Sequence, residues 1–305
     1  MIPDFKSIAD LIKAFPTEVS CIEHLEIIRW NGYVVSPFDA NSKVYKCAGN
    51  KYKCKESGKY FNVRTGTIFE DTKMPLQKWF MALYIFSSHK KGISSHQLAK
   101  DLDITQKTGW FVLHRLRYAF DHPAFKAQLG NVVEIDETFV GGKDKNKHES
   151  KKNKQLANPK KYKGKAPIVG MIERGGNIIT KCVEDIYGET LESIVTTNVS
   201  QESTLIADQY AAYDRMEKYY DLKRIDHGAK QYVNGMAHTN TIEGFWSQLK
   251  RGIDGIYHWV SVKHLQSYAD EFSLRYNSRK MTTSNRFNLV LANMVGRLTY
   301  KELIS

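Results

Sequence analysis

Apolar positions in the first thirty residues recur at helical spacing. Ile8, Leu11, Ile12 and Phe15 fall three or four apart. Pro16 resets the phase, and Cys21, Leu25, Ile28 and Trp30 follow, so residues 5–30 read as helical. From Asn31 to Phe69 the pattern changes to short β-like runs (YVVSPF, KVYKC, KYKCKESGKYFNV) broken by Gly and Asn. So small a segment cannot stabilise itself by burial alone and needs docking or a metal. Residues 75–91 form a strongly apolar helix with Pro75 near its start. Next, Ser94 or Ser95 can cap a short helix carrying Leu98 and Leu102. A tight turn at Asp103, Ile104 and Thr105 leads to a second helix with Trp110, Leu113 and Leu116. Two short helices so joined have the form of a helix-turn-helix. Gly109, inside the second, costs about 1 kcal/mol against Ala.

From Asn131 the period changes again. VVEIDETFV, PIVGMIE, NIITKCVED and STLIADQY read as strands, with a helical GETLESIVTTNV before the last of them. A short KRIDH strand follows, and then the helices TNTIEGFWSQLKRGI and SVKHLQSYADEFSLRYNSR. This order predicts an α/β domain whose sheet carries helices on both faces. The expected organisation is 1–72 as N-terminal helices with the β segment and 73–128 as the helix-turn-helix domain. The α/β domain is expected over 129–305, including the C-terminal helices.

Composition narrows the class. The 305 residues suffice for two or three domains, and 42% hydrophobic content builds real cores. Forty-five Lys and Arg face thirty-three Asp and Glu, a net charge of +12, which points to a polyanion and to nucleic acid before membrane. On the helix-turn-helix, Lys107, His114, Arg115 and Arg117 are the expected phosphate contacts. The lysine-dense loop 143–165, with Lys151, Lys152, Lys154, Lys160 and Lys161, reads as a solvated face or as an electrostatic clamp on DNA. Four scattered cysteines do not make a disulfide scaffold. The N-terminus has no signal-peptide core, and no run is apolar enough to span a membrane. A cytoplasmic, nucleoid-associated location is the expectation.

The candidate chemistry is acidic. Asp136 sits in VVEIDETFV among buried-strand residues, and Asp208 closes TLIADQY. A carboxylate in such a place must be solvated, paired or metal-bound, and two that converge need a cation between them. In HTNTIEGFWSQLKRGI, Ile242, Phe245, Trp246, Leu249 and Ile253 form an apolar stripe beside a polar one of Asn240, Glu243, Ser247 and Lys250. Asn240 and Glu243 also read as a capping box, with Asn240 at the N-cap. That reading leaves Lys250, two turns on, without a role. A metal-binding carboxylate and a phosphate-binding lysine on one face would explain both. Oxygen-only ligands suit two Mg²⁺ or Mn²⁺ ions flanking a scissile phosphate.

TGTIFEDTKMPLQKWF, KKGISSHQLAKDL, EIDETFVGGK, HTNTIEGFWSQLKRGI and YHWVSVKHLQSYADEFSLRYN are together similar to the DDE-type transposases of the bacterial insertion-sequence family fifteen-ninety-five, related to the Merlin elements. The resemblance runs over nearly the whole chain. It implies an RNase H-like domain, a helix-turn-helix and an N-terminal zinc ribbon. Its metal-binding acids fall on Asp136 and Asp208, with Glu243 or Asn240 as the third, and Lys250 and Arg251 lie towards DNA. It implies a polynucleotidyl transferase that cleaves inverted-repeat ends of double-stranded DNA and joins 3′-hydroxyls to target DNA. It also implies a homodimer or larger assembly on DNA and no small-molecule substrate. The alternative is a DNA-binding regulator of transposase ancestry without catalysis. The departure is the ribbon. Its knuckles read Ser36-Pro37-Phe38-Asp39 and Cys54-Lys55-Glu56-Ser57, so Cys54 is the one retained pattern position and structural zinc is not expected. A substitute site from Cys47, Cys54, Asp39 and a histidine is the other option. Tyr45, Tyr52, Tyr60 and Phe61 are expected to hold the ribbon by packing, and its basic surface to touch transposon-end DNA.

Overall fold

Short polar residues start the helices of the N-terminal region. Ser7 and Asp10 cap α1 (Ile8–Ala14) reciprocally, and Thr17 and Ser20 do the same for α2 (Glu18–Trp30). The computed structural model describes residues 3–120, 125, 127–141, 165–225 and 238–305. The chain divides into two units, Met1–His122 with Lys280–Ser305, and Pro123–Arg279. The last 26 residues therefore belong with the N-terminal region and not, as expected, with the α/β domain. Aromatic packing is the reason. Phe287, on a C-terminal helix, meets Phe5 at 5.1 Å, Phe80 at 5.3 Å and Phe15 at 6.3 Å between ring centroids.

In the first unit, β1 (Val44–Cys47), β2 (Lys51–Cys54) and β3 (Tyr60–Phe61) form an antiparallel sheet in that order. The helices α3 (Leu76–Ser88), α4 (Ser95–Leu102) and α5 (Gln106–Ala119) follow. Ser94 and Thr105 cap α4 and α5, and Asp103 turns the chain between them in the left-handed conformation (φ 49°). Gly109 is explained by proximity. A Cβ there would lie 2.8 Å from the Ser95 carbonyl oxygen, so only glycine lets α5 approach α4.

In the second unit, β4 (Val132–Val140), β5 (Ala166–Glu173) and β6 (Ile178–Cys182) pair antiparallel. Helix α6 (Gly188–Asn198) crosses back to β7 (Thr204–Ala207), which runs parallel to β4. A 3₁₀ turn (Ala211–Lys218) leads to β8 (Asp221–Arg224), parallel to β7. The sheet order is β6-β5-β4-β7-β8, a mixed five-stranded sheet. Alternation sends Val133, Ile135, Val169, Met171 and Leu205 to one face, where they bury against Leu191, Val195 and Tyr213. Ile168, Ile172 and Ile178 bury on the other face against α7 (Asn240–Gly252) and α8 (Leu265–Asn277) through Ile242, Phe245, Leu249 and Phe272. Helices thus flank the sheet, as the α/β reading expects. The helices α9 (Thr283–Ala292) and α10 (Tyr300–Ile304) return to the first unit. Among the described residues no helix is long and apolar enough to cross a membrane.

Candidate active site

Strand alternation distributes the acids of VVEIDETFV between the two faces of the sheet. Val133 and Ile135 face α6, which puts Glu137 on that side, while Glu134 and Asp136 face α7. Glu134 pairs with Ile206 in the parallel β4–β7 ladder, so the same register carried two residues further sets Asp136 opposite Asp208, just past the end of β7. The Tyr210 N–H donates to Asp208 Oδ1 (2.9 Å), holding that carboxylate at the strand end. Helix α7 lies across this end of the sheet. Its Glu243, Trp246, Ser247 and Lys250 line a cavity of about 550 Å³ together with Asp136, Glu137 and Asp208. The polar stripe read from sequence therefore does face one cavity, with Asn240 as its exception. Asn240 is exposed at the first position of α7 and does not line the cavity.

The Trp246 indole Nε1–H donates to Asp136 Oδ2 (3.0 Å). Gly170, paired with Asp136 across β4 and β5, makes room for this ring, since a Cβ there would lie 2.5 Å from the indole. Burial, and then the neighbouring Asp208 and Glu243 charges, push Asp136 up to about 6 against the pull of Trp246 and the Glu137 N–H. Burial similarly pushes Glu137 up to about 7, although the Tyr213 hydroxyl donates to its Oε1 (2.5 Å). Hard oxygen donors gathered on one cavity are a set whose repulsion a divalent cation would relieve. Among the described residues, no three His, Cys, Asp or Glu side chains are yet drawn close enough to hold an ion as they stand.

The capping box expected at Asn240 is replaced by another device. Thr239 is the N-cap, and its hydroxyl donates to Glu243 Oε1 (3.1 Å). The first amides of α7 go to a residue the sequence pattern did not single out: Glu134, fully buried on β4. Its Oε2 accepts from Thr241 N (3.0 Å) and Ile242 N (3.1 Å), and its Oε1 from the Thr241 hydroxyl (2.8 Å) and Arg174 Nε (2.8 Å). His238 Nδ1 lies 3.4 Å away. Three acids within four residues of one strand were the available signal for it.

The expected DNA contacts separate. Lys250 and Arg251 are exposed on α7, where the Arg251 guanidinium reaches the Ser247 hydroxyl (3.1 Å). On α5, Lys107 is exposed, with its ammonium 4.7 Å from the Tyr300 ring centroid. Arg115 and Arg117 do not face solvent. Arg115 donates to the carbonyls of Leu298, Ile68 and Glu70 at 2.7–2.9 Å, and Arg117 stacks over Phe86. His114 is buried as well. The inner turns of α5 are thus core, which corrects the assignment of these cations to phosphate. Lys151, Lys152, Lys154, Lys160 and Lys161 lie outside the described residues.

The ribbon positions Ser36 and Ser57 carry hydroxyls where the resembled pattern has thiols. Cys54 is buried among the hydroxyls of Ser36, Ser42 and Ser57, which draw its thiol down to about 6, and its Sγ lies 3.2 Å from Ser42 Oγ. Ser36 accepts the Phe38 amide and Ser57 the Lys59 amide, at 3.1 and 3.4 Å. Hydroxyls are not the N and S donors that zinc selects. Asp39 instead accepts from the Asn41 amide, and Cys47 faces the Tyr45 carbonyl. Of the four aromatics expected to pack the ribbon, Tyr52 and Phe61 are buried against Trp30, whereas Tyr45 and Tyr60 point outward.

The sequence is similar to that of known proteins. The family described as the ISXO2-like transposase domain matches residues 128–277. An uncharacterized protein in transposable element ISH50 of Halobacterium salinarum is 29% identical over 276 residues, spanning 87% of this chain and 92% of that protein. Among solved structures, a chain of the simian T-cell lymphotropic virus intasome in complex with PP2A regulatory subunit B56 gamma is 8% identical. The match covers 62% of this chain and 66% of that one, with a TM-score of 0.28. A chain of a pre-cleavage Mos1 transpososome is 11% identical over 75% of this chain and 83% of that one, with a TM-score of 0.22.

Proposed function

We propose that this chain, whose residues 128–277 match the ISXO2-like transposase domain, is an insertion-sequence transposase that cleaves transposon-end DNA and joins the freed 3′-hydroxyls to target DNA. The observation that carries the reading is the meeting of Asp136, Asp208 and Glu243, from two adjacent parallel strands and one helix, on a cavity that also holds Lys250. Asp136, Asp208 and Glu243 would hold Mg²⁺ or Mn²⁺, which supplies Lewis-acid stabilisation of the phosphate and a more acidic attacking oxygen. The chain does the rest. Trp246 fixes one oxygen of Asp136 by its indole hydrogen bond, and Thr239 fixes Glu243. Lys250 supplies a compact charge for a non-bridging phosphate oxygen beside the reacting one. Because one phosphodiester is exchanged for another, the same cavity serves water in cleavage and a 3′-hydroxyl in joining. RNase H-like is the fold reading that suits this sheet, and work on two ends implies at least two protomers.

Incubation with labelled terminal inverted-repeat DNA and Mg²⁺ tests the reading. Nicked ends followed by joined products are expected. Binding without either product would instead support a regulator of transposase ancestry.

The choice between Glu243 and Asn240 gives a sharper expectation. Glu243→Gln should lower single-turnover cleavage by about a hundredfold or more, because it removes a charge aimed into the cavity. Asn240→Ala should leave the rate near wild type and stability within about 1 kcal/mol, since Thr239 and Glu134 start the helix. The reverse ranking in cleavage assays would assign the role to Asn240.

For the lysine-dense loop, changing Lys151, Lys152 and Lys154 to Gln should weaken DNA binding equally across sequences. Every phosphate that a lysine no longer neutralises should reduce the slope of log K against log salt by roughly 0.9. An unaltered slope would mean that the loop is solvated and not on DNA.

A further inference from the structure

We infer that the outer face of the β1–β2–β3 sheet is a stacking platform for unpaired nucleotides of DNA. Pairing aligns Tyr45, Lys53 and Tyr60 in one row across the three strands. The opposite face is the apolar one, where Tyr52, Cys54 and Phe61 are buried and Trp30 packs 5.3 Å from Tyr52. Burial therefore accounts for the inner aromatics and leaves the outer ones without a packing role. Tyr45 is 43% exposed and Tyr60 is 59% exposed, while Phe38, at the side of the sheet, packs edge-on against Phe61 at 6.2 Å and still leaves 42% of its surface exposed.

Each of these rings has an ammonium beside it. Lys43 lies 5.4 Å from the centroid of Tyr45, Lys53 lies 5.5 Å from Tyr60, and Lys59 lies 5.2 Å from Phe38. Residues 38–61 carry six lysines against two acids. A ring paired with a cation, three times over, matches the two halves of a nucleotide: a base to stack and a phosphate to neutralise. Duplex DNA offers its phosphates to such a surface but hides its base faces in the helical stack. The rings can be used only where bases are unpaired, as at a frayed or cleaved end. An acidic protein would use the lysines and leave the rings idle.

This inference rests on the proposed DNA reading only for the identity of the nucleic acid. It is tested on the full chain in chelator, where cleavage plays no part. Anisotropy with labelled oligothymidylate should show affinity falling about tenfold for each of Tyr45→Ser and Tyr60→Ser. Affinity for a duplex of equal length should change less than about threefold, because its binding is set by phosphates. Tyr45→Phe and Tyr60→Phe keep the rings and should keep wild-type affinity, with unchanged melting curves as the check on folding. The inference is overturned if the Ser variants bind the single strand as wild type does, or if they lose single strand and duplex equally. It is also overturned if the Phe variants lose as much as the Ser variants, or if polyglutamate competes as well as an oligonucleotide of the same charge.

Discussion

Asp136→Asn and Asp208→Asn should each cut cleavage of terminal DNA by more than about a thousandfold while leaving DNA affinity within about threefold. An amide matches the carboxylate in shape but lacks the charge that holds a divalent ion, and that ion's stabilisation of the reacting phosphate amounts to several kcal/mol. Affinity is set elsewhere, by lysines and arginines on phosphate. Asp136→Asn also separates a chemical role from a structural one. Burial and neighbouring carboxylates push Asp136 up to about 6. A carboxyl group raised on folding favours the native state only while it is protonated, so stability is lost as pH climbs from the ordinary carboxylate range through about 6. At neutral pH that penalty is fully present, and an uncharged Asn removes it. The variant should therefore melt no lower than wild type in chelator at neutral pH, and its advantage should shrink on acidification. A variant that cleaves normally in Mg²⁺ would remove Asp136 from the chemistry. One that is inactive but markedly less stable would make it a structural residue.

The elements that govern this site were largely legible because they are periodic. Val133, Ile135, Leu205 and Ile206 mark strands, and the stripe from Ile242 to Leu249 marks a helix whose other stripe had to face something polar. Contacts between distant segments leave no such local trace. Arg115 and Arg117 look like surface cations until the carbonyls of Ile68, Glu70 and Leu298 are seen to take Arg115, and Phe86 to lie under Arg117. Gly109 reads as a helix defect, although it is the point where α5 meets α4. Asn240 and Glu243 have the spacing of a capping box, but the chain enters α7 one residue earlier and a glutamate over a hundred residues away takes its amides. The C-terminal helices follow the α/β domain in sequence, yet Phe287 belongs to an aromatic cluster built from the N-terminus. In the ribbon, identical residue types divide between two fates. Tyr52 is buried and Tyr45 is exposed because strand pairing, not composition, decides which face each occupies.

Glu134→Ala should be the most damaging single change to the stability of the second unit, about 3–5 kcal/mol in denaturant unfolding. Glu134 is fully buried and bridges β4, two residues before Asp136, to the first turn of α7, two residues before Glu243. Removing it takes the carboxylate acceptor from Arg174 Nε and from the amides of Thr241 and Ile242, while the Arg174 guanidinium keeps the His238 carbonyl (2.7 Å). A half-buried guanidinium that loses its counter-charge, two helix amides that lose their acceptor and the cavity left by the side chain account for a loss of that size. Glu134→Gln keeps an acceptor oxygen and a donor of similar shape, so it should fold, with a smaller loss of about 1–2 kcal/mol. Its effect should appear in chemistry, because the carboxylate bridge sets where α7 lies against the strand. The Gln variant is expected to cleave about 10–100-fold more slowly at saturating DNA with unchanged DNA affinity, the pattern of a residue that orients metal ligands without touching substrate. Unfolding of Glu134→Ala within about 1 kcal/mol of wild type would show that water replaces the carboxylate at the helix end. The start of α7 would then have to be held by its apolar stripe alone, through Ile242, Phe245 and Leu249 packed on the sheet.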